Sequence, residues 1–580
     1  MGHRTPQLLI GLAFAALILV ALGPAWAGMP GGPPCTPGRD SVPTSLGADG
    51  WAVVGGAVTG GCGAPPPRVV DVSTRADLVD ALTMGHMRGH GEKKLDHHPK
   101  IIHIHGTIDL NVDDANVPLV EEDYMRMCNY TAHETYYDPV THDQTGSGGF
   151  FGAYKAAYDP NLWIHQSLDP VDNRPPALSG PLEEARACFQ QKQAERVLIY
   201  VGSNTSIIGV GTDARIVNGG LRIGFMNDKN ANDPANFKAE NVVIRNVTFA
   251  DAFDMFPSWD PKDSFSITIT NTNGCQAEYV SEEAGPHRCV FRGGRWNAEY
   301  DSIAVMNAER VWIDHNTFTD EPRFDTQFPP VFAAPFNEAT QKVQHHDGQA
   351  DVTLLATRVT ISNNHFMRHD KTNLLGGSDV AGLVPGYGPG KIDVTFHGNY
   401  YQNTGQRMPR VRFGRVHVYN NVMDVDRRSS AEYRLGDSWI LGTAAKLVTE
   451  NNLFDILNSN LNFNFRIVQY SSTLASREVC VNAGYALEEC GTYYYNTGAW
   501  IHLHTTSTSS TFEFDAFAAA QTLQASSASN APLISLDPAD PDVFWSPGQT
   551  YGYTVLPVGT PEERATLREQ ILNGAGAGKL

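Results

Sequence analysis

Two carboxylates followed by a set of cations form the part of this sequence best suited to chemistry. Asp347 and Asp351 stand four residues apart in the run DGQAD, and Lys371 follows in the run HDK. Three arginines come soon after, in the run QRMPRVR: Arg407, Arg410 and Arg412. Carboxylates beside clustered cations can hold a divalent ion next to a polyanionic substrate. The pattern therefore indicates a metal-assisted site for an acidic ligand.

Further side chains extend this candidate site. Calcium prefers several oxygen ligands, which neighbouring coils of a repeat fold can supply from distant points of the sequence. Asp301 stands at the start of a predicted strand one coil before the DGQAD run, so it is a third candidate ligand, and Glu299 is a weaker fourth. In the triplet RVR, strand alternation places the side chains of Arg410 and Arg412 on one side. Guanidinium forks bind carboxylates bidentately, which suits a uronic acid polymer.

A simpler interpretation exists for each of these residues taken alone. A single aspartate at a loop end is usually solvated or caps a turn, and a single basic run is usually a solvated face. The grouping of both kinds in one region favours a site over a collection of surface charges.

The elements that must position these residues are short strand-like runs, each of which ends in asparagine and a large apolar residue. They recur at residues 243–249, 312–318, 359–366, 394–401, 416–423 and 447–454. Their spacing is uneven, from 22 residues between Asn399 and Asn421 to 70 between Asn246 and Asn316. A short minimum period with large insertions predicts a parallel β-helix whose loops build a binding face. We expect its asparagines to hydrogen-bond as a ladder, whereas the alternative fold, a β-sandwich, would not repeat asparagine at one strand end.

Outside these repeats the sequence is less regular. Residues 109–195 predict long loops with a helix around 182–193, and residues 320–343 predict another loop. Residues 560–573 have helical spacing and precede a Gly-Ala-Gly-Ala-Gly ending. The chain is therefore expected to be all-β, a solenoid with long inserted loops and a few short helices.

The first residues predict export. Residues 8–22 are almost entirely apolar, and residues 25–27 form a small-x-small cleavage pattern, so we expect a signal peptide at residues 1–27. The apolar run is shorter than the roughly 20 residues of a spanning helix, which argues against a membrane anchor. The eight cysteines include no CxxC pair, which suits disulfides in an exported protein better than zinc or redox chemistry. Pairing in order along the chain would close four local loops.

Charge and length limit the classes of function. The net charge of -20 argues against a nucleic-acid partner, so an anionic ligand must meet a local basic patch. Elongated repeat folds grow by adding coils, so residues 28–580 are expected to form one β-helix domain with terminal extensions packed on it. The expected protein is a secreted monomer with no membrane contact after the signal peptide is removed.

Four blocks of the sequence resemble the signature blocks of extracellular pectate lyases, and they occur in that family's order. They are WIDHN at 312–316, DGQAD at 347–351, HDK at 369–371 and QRMPRVRFG at 406–414. Residues 99–108 resemble the family's first strand, and the similarity covers nearly the whole mature chain. It implies a right-handed parallel β-helix that cleaves α-1,4-linked polygalacturonate by calcium-dependent β-elimination, which yields 4,5-unsaturated oligogalacturonates.

The resemblance also implies roles for individual residues. Three carboxylates would bind Ca²⁺: Asp301, Asp347 and Asp351. Three cations would bind the substrate: Lys371, Arg410 and Arg412. Arg407 would be the base that removes the C5 proton of galacturonate. The negative charge left on the C6 carboxylate would then be stabilised more in the transition state than in the ground state.

An arginine base depends on its surroundings. The ordinary pKa of arginine lies above about 12, so neighbouring cations must favour the neutral form. His369 or His397 would be an easier base, but their places in the motifs indicate structural roles. Trp312 and His315 are likewise interpreted as packing and strand-end groups.

Three other functions remain open. A pectin lyase acts on methyl esters, needs no calcium and usually lacks the acidic ligands present here. A hydrolase on this kind of fold would use a pair of carboxylates and give saturated products. A noncatalytic polysaccharide-binding β-helix would have no reason to keep Lys371, Arg407 and Arg412 together.

Two features depart from the family pattern. Gly398 stands where many members carry a second histidine after His397. Residues 272–292, which include Cys275 and Cys289, look like an insertion shortly before Asp301 and could reshape one end of the cleft.

Overall fold

The computed structural model describes the chain in segments. They are residues 35–36, 39–41, 49–62, 66–83, 95–137, 148–159, 178–227, 230, 232–260, 266–268, 288–292, 295–332, 343–382, 388–537 and 551–579. The expected signal peptide at 1–27 and most of the expected insertion at 272–292 lie outside these segments.

Three long sheets, here called sheets 1, 2 and 3, form the body of the protein. Sheet 1 contains, in stacking order, β1 (Arg68–Val72), β2 (Lys100–Ile104), β5 (Thr205–Gly209), β8 (Ala239–Arg245), β15 (Ala308–Asp314), β18 (Thr357–Ser362), β21 (Ile392–His397), β24 (Gly414–Tyr419), β27 (Lys446–Glu450), β30 (Thr492–Thr497) and β33 (Leu533–Ser535). Sheet 2 contains β3 (Thr107–Asp109), β6 (Arg215–Val217), β9 (Thr248–Ala250), β16 (Thr317–Thr319), β19 (His365–Lys371), β22 (Tyr400–Gln406), β25 (Val422–Asp426), β28 (Leu453–Leu457), β31 (Trp500–His504) and β32 (Ser509–Glu513).

Sheet 3 completes each coil. It contains β4 (Leu198–Val201), β7 (Gly220–Ile223), β14 (Ile303–Met306), β17 (Ala350–Thr353), β20 (Leu374–Leu375), β23 (Arg410–Val411), β26 (Trp439–Leu441) and β29 (Val468–Tyr470). The chain visits sheets 3, 1 and 2 in turn, and successive coils pair in parallel, except that β31 and β32 pair antiparallel. This architecture is the predicted right-handed parallel β-helix, with β1 preceding the strand that we expected to be first.

Apolar side chains in matching register fill the inside of the coils. Phe249, Phe318, Phe366 and Tyr401 stack along sheet 2 with ring centroids 5.3, 4.9 and 4.9 Å apart. In sheet 1, Ile244, Ile313, Ile361 and Phe396 occupy one register position on successive strands. Burial of such large side chains contributes about 1.5–3 kcal/mol each, so the repeated apolar positions of the sequence specify the stacking of the coils.

An asparagine ladder runs along the turn between sheets 1 and 2. Asn316, Asn364, Asn399 and Asn421 each donate their side-chain amide to the carbonyl oxygen of the next asparagine, at 3.0–3.1 Å, and the series ends at Asn452. The residue before each of these asparagines has a positive φ, as the turn requires. The predicted ladder is therefore confirmed from Asn316 onward.

Asn246 occupies a different position in this turn. Its φ is 59°, which places it in the left-handed position that precedes the ladder, and the ladder position itself is occupied by Val247. Gly398 also fills the left-handed position, with a φ of 65°, and a Cβ there would lie 2.4 Å from the Asn363 side-chain oxygen. The departure from the family pattern at Gly398 therefore concerns how this turn packs.

Helices and short strands are added to the coils. The helices are α1 (Arg75–Thr83), α2 (Glu121–Met127), α3 (Gly149–Ala157), α4 (Pro181–Val197), α5 (Leu474–Asn482), α6 (Ala516–Ala525) and α7 (Pro561–Gly574), with 3₁₀ turns at Trp51–Val53 and Asp325–Gln327. Two antiparallel pairs join β10 (Ser258–Asp260) to β13 (Arg295–Asn297) and β11 (Ser266–Thr268) to β12 (Arg288–Arg292). Helices α4 and α7 confirm the two helices expected from the sequence.

Covalent and terminal contacts hold the extensions to the coils. Three disulfides join neighbouring cysteines in sequence order: Cys35–Cys62, Cys128–Cys188 and Cys480–Cys490. After α7, the backbone amides of Gly576, Ala577 and Gly578 donate to residues of three successive coils. Among the segments given above, no helix is long and apolar enough to cross a membrane.

A second aromatic core fixes the segment that leads into Asp301. It contains buried rings from helices α3 and α4, from the loop before α3 and from the β10–β13 pair: Tyr136, Phe150, Phe189, Trp259 and Trp296. Tyr300, which belongs to the core inside the coils, donates its hydroxyl to the Gln190 carbonyl of α4 at 2.6 Å. The inserted loops are thus packed elements that position the start of β14.

Candidate active site

The predicted site residues meet at the junction where each coil passes from sheet 2 to sheet 3. Lys371 is the last residue of β19, and it pairs in register with Gln406, the last residue of β22. Arg407 follows at once, before β23. Asp301 lies two residues before β14, the sheet 3 strand of its own coil, and Asp351 lies in β17 of the next coil. Stacking of parallel coils therefore brings together residues that are far apart in sequence.

Backbone amides hold two of the three carboxylates. The amide of Gly348 donates to Asp301 Oδ1 at 2.7 Å, and the amide of Leu374 donates to Asp351 Oδ1 at 2.9 Å. A Cβ on Gly348 would lie 2.3 Å from Asp351 Oδ1, so only glycine fits between these side chains. The glycine of the DGQAD run is thus explained by the close approach of its own aspartate.

The three carboxylates repel one another. Burial raises the pKa of Asp301 to about 7, and the neighbouring Asp347 charge adds to this. Burial also raises the pKa of Asp351 well above its ordinary value, with further contributions from Asp301 and Asp347. For Asp347, burial acts in the same direction, but Lys371 and Arg407 outweigh it and lower the pKa. A bound cation would relieve this repulsion.

A different group of side chains in the structure is more compact than these three carboxylates. Of the described residues, the set of three whose ligand atoms all lie within 4.8 Å of one another is Asp320, Asp325 and His346. The oxygens of Asp301, Asp347 and Asp351 are spread more widely than this. Their role as ligands stays a prediction, which the electrostatic neighbourhood supports. Glu299 is exposed, and its backbone amide donates to Asp254 at 3.1 Å.

Lys371 forms an ion pair inside the site. Its side chain is 7 % exposed, and Nζ lies 2.7 Å from Asp347 Oδ1. His369, two residues earlier, contacts the Lys371 carbonyl through Nε2 at 3.2 Å. The lysine is thus nearly buried and already paired with a carboxylate of the candidate site.

Arg407 has an unusual backbone and side-chain environment. Its φ is 61°, a left-handed conformation that costs a non-glycine residue about 1 kcal/mol or more. Its carbonyl accepts from the Asn373 amide at 2.8 Å, which ties the strained residue to the neighbouring coil. Its Nε is buried and has no hydrogen-bond partner among the described residues. A polar atom of this kind is what a bound substrate could satisfy.

Arg410 and Arg412 lie on one side of their strand, as predicted. Asp379 Oδ2 lies 2.9 Å from Arg412 Nε and 3.6 Å from an Arg410 terminal nitrogen, and Val411 between them is buried. Arg412 also donates to the Gly376 carbonyl at 2.9 Å. Burial lowers the pKa of Arg410 to about 10, and the neighbouring Arg412 contributes.

Sequence reasoning missed several charged neighbours. Arg222 of β7 aligns with Ala304 of β14, as Asp351 does from the other side, and its charge acts on Asp301. Asp379 pairs with the arginines, as described above. Burial raises the pKa of Asp437 to about 6 close to Arg410 and Arg407. No sequence motif marks these residues, because the stacking of coils brings them to the site from distant parts of the sequence.

The residues interpreted as structural have structural contacts. Trp312 Nε1 donates to Ser362 Oγ at 2.8 Å, and His315 Nδ1 lies 2.8 Å from Asp314. The ring of His397 stacks on Tyr419, with centroids 5.0 Å apart. All of these side chains belong to sheet 1 or to the turn that follows it, away from the sheet 2 to sheet 3 junction.

Comparison with known proteins gives one consistent result. A family model described as pectate lyase matches residues 180–290 and 286–531. A pectate lyase of Bacillus subtilis (strain 168) is 35 % identical over 408 residues, which cover 70 % of this chain and 75 % of that protein.

Solved structures agree with the sequence matches. The structure of a pectate lyase from Acidovorax avenae subsp. citrulli superposes with a TM-score of 0.71 and 35 % identity, over 95 % of this chain and 99 % of that one. A structure described as a pectate lyase bound to a hexasaccharide superposes with a TM-score of 0.60 and 30 % identity, over 92 % of this chain and 98 % of that one. The similarity thus extends over nearly all of both folds.

Proposed function

This chain belongs to the pectate lyase family and is a polysaccharide lyase, and we propose that its candidate active site cleaves polygalacturonate by calcium-dependent β-elimination. The observation that carries the proposal is the meeting of three carboxylates with Lys371 and Arg407 at one junction of consecutive coils. The products would be 4,5-unsaturated oligogalacturonates. The neighbour that holds a hexasaccharide supports a polysaccharide as substrate.

Asp301, Asp347 and Asp351 would hold the calcium ion. Their oxygen donors suit a hard cation, and the raised pKa values of Asp301 and Asp351 show that burial and like charge are not balanced by protein cations alone. When bound, calcium would supply positive charge to the C6 carboxylate as the adjacent C5 proton leaves.

Protein side chains would carry the remaining steps. Arg407 would accept the C5 proton, after which the electron pair forms the C4=C5 bond and the C4–O bond breaks. The released oxygen takes a proton from water. Lys371, Arg410 and Arg412 would bind the substrate carboxylate and stabilise the charge that develops on it. Because Arg412 already pairs with Asp379, substrate binding would need this arginine to share its donors.

We also propose where the protein acts and in which oligomeric state. The apolar run and cleavage pattern at residues 1–27 support secretion, and the polymeric substrate would be met outside the cell. We take the active unit to be a monomer, because the candidate site draws all of its residues from one chain.

A chelation experiment with one conservative variant tests the proposal. Purified protein is incubated with polygalacturonate, and ultraviolet absorbance of the unsaturated product is followed with chelator, then with excess calcium. We expect absorbance to rise, to stop on chelation and to return with calcium. Arg407→Lys keeps the positive charge but changes the proton-accepting group, so its kcat should fall at least about 100-fold.

The control is a chemically matched change away from the site. Arg434 is exposed, and its Nε donates to the Arg427 carbonyl, so Arg434→Lys should keep activity within a factor of two. No absorbance change in excess calcium would overturn the lyase proposal. Equal activity in Arg407→Lys and Arg434→Lys would overturn the assignment of the base.

A further inference from the structure

A buried group of imidazole and carboxylate side chains lies behind the candidate active site. Asp320 follows β16, Asp325 starts a 3₁₀ turn, and His346 directly precedes Asp347. Asp320, Asp325 and His346 are each 3 % exposed. One ligand atom from each lies within 4.8 Å of the others. The set differs from the calcium ligands proposed above.

The separations in this group are long for hydrogen bonds. His346 Nδ1 lies 3.4 Å from Asp325 Oδ1 and 3.8 Å from Asp320 Oδ2. A nitrogen-to-oxygen hydrogen bond is about 2.7–3.2 Å long. Two ligands of one tetrahedral ion, each bonded at about 2.0–2.1 Å, lie about 3.3–3.4 Å from each other. The observed spacing is therefore nearer to that of ligands around one ion.

The second nitrogen of His346 has the partner expected of a metal ligand. Nε2 lies 2.9 Å from Asp251 Oδ1, and Asp251 is held in turn by Arg323 Nε at 2.7 Å. Histidines that bind metals donate their other ring N–H to a carboxylate, which fixes the tautomer and the ring orientation. Nδ1 faces Asp320 and Asp325 and makes a 3.4 Å hydrogen bond to Asp325, so a metal ion bound there would displace the proton from this nitrogen.

The two carboxylates are supported unequally. Asp320 is anchored by His369 Nδ1 at 2.8 Å and by the hydroxyl of Tyr433 at 3.1 Å. For Asp325, the hydrogen bond that the carboxylate makes within the described segments is the 3.4 Å contact with His346. An ionised carboxylate buried with one distant partner is costly. A cation between Asp320, Asp325 and His346 would remove that cost.

We propose that Asp320, Asp325 and His346 form a structural binding site for a tetrahedral divalent transition metal of the zinc class. One imidazole and two carboxylates suit zinc, whereas calcium needs six or more oxygen ligands. Water would complete the coordination. The site joins the loop after β16 to the segment that carries Asp347, so the ion would brace the active-site loop. This inference does not rest on the proposed lyase mechanism.

Metal analysis of the full-length secreted protein tests the site directly. The protein is purified without chelators, and its metal content is measured by inductively coupled plasma mass spectrometry. It is then stripped with a zinc-selective chelator and titrated with Zn²⁺ in excess calcium, while the melting temperature is followed. We expect about one equivalent of zinc per chain and a rise in melting temperature of at least about 5 °C.

Two variants separate this site from nonspecific binding. Asp325→Asn preserves shape but removes a charged ligand, and it should weaken zinc binding at least about 10-fold. Asp455 pairs with His502 and His504 near the surface, so Asp455→Asn should leave the stoichiometry unchanged. Failure of the stripped protein to bind zinc, or equal zinc affinity in Asp325→Asn and the natural protein, would overturn the proposal. Calcium as the sole bound metal would also overturn it.

Discussion

Single charged residues in the candidate site are satisfied mainly by one another. Lys371 pairs with Asp347, and Arg412 pairs with Asp379. Asp437 is one exception among the carboxylates, because its Oδ1 is buried without a hydrogen-bond partner among the described residues. Burial raises the pKa of this carboxyl to about 6, although Arg410 and Arg407 act in the opposite direction. The site therefore contains a carboxylate that costs folding energy.

This cost predicts a pH-dependent gain in stability for Asp437→Asn. The folded protein binds the Asp437 proton up to about pH 6, whereas the unfolded chain releases it near pH 4, so the stability contributed by this residue falls as pH rises through that window. The asparagine variant should be more stable by up to about 3 kcal/mol at pH 8 and unchanged near pH 4. Denaturant unfolding at both pH values measures this. An equal effect at both would contradict it.

A second prediction concerns Asp351 and calcium. Because burial and the charges of Asp301 and Asp347 raise the pKa of Asp351, a neutral asparagine should relieve repulsion in calcium-free protein. Asp351→Asn should therefore melt at a higher temperature without calcium, gain less on calcium addition, and need at least about 10-fold more calcium for half-maximal activity. Asp213→Asn, a change to an exposed carboxylate, is the control. Unchanged calcium dependence would exclude Asp351 as a ligand.

At the scale of elements, sequence reasoning recovered the repeating unit, and the site residues it named lie on consecutive coils, although their roles stay predictions. Strand-length apolar runs that end in asparagine predicted both the coils and the ladder. The same reasoning placed Asn246 in the ladder, which is wrong, because a shift of one residue at a turn leaves the sequence pattern intact while moving the side chain. Sequence reasoning missed Arg222 and Asp379 because the stacking of coils, rather than any local motif, brings them close to the site.

The ladder should contribute measurably to stability. Asn399 accepts from the Asn364 side chain at 3.1 Å, and it donates to Asn421 at 3.0 Å and to the Ile361 carbonyl at 2.9 Å. Asn399→Ala would leave buried partners unsatisfied, at a cost of about 2–4 kcal/mol. Asn458→Ala, which removes a peripheral amide, is the control. Thermal unfolding should show a clear drop for the first variant alone, and similar melting temperatures would contradict the ladder's role.

At the scale of the whole molecule, the end of the chain fastens earlier coils. Gly576 donates to the Asn363 carbonyl at 2.8 Å, Ala577 to Thr317 Oγ1 at 3.0 Å, and Gly578 to Asn246 Oδ1 at 2.6 Å. These contacts cross three coils along the turn between sheets 1 and 2. The tail therefore closes a surface far from the junction that carries the candidate site.

Removal of residues 575–580 should lower stability and leave the chemistry intact. Loss of three hydrogen bonds of about 1 kcal/mol each should reduce the melting temperature by a few degrees, while the calcium requirement and kcat of the folded protein stay the same. Removal of residues 579–580 alone is the control. A truncated protein with full thermal stability would show that the tail does not brace the coils.

The ion pair between Lys371 and Asp347 has a consequence for the order of binding. Lys371 Nζ and Asp347 Oδ1 lie 2.7 Å apart, so each neutralises the other's charge. If Asp347 turns to a calcium ion, Lys371 becomes available to a uronate, and a uronate that captures Lys371 leaves Asp347 available to the ion. The two ligands should therefore strengthen each other's binding by the same factor. Binding of the metal and binding of the polymer would in this way be coupled through one ion pair.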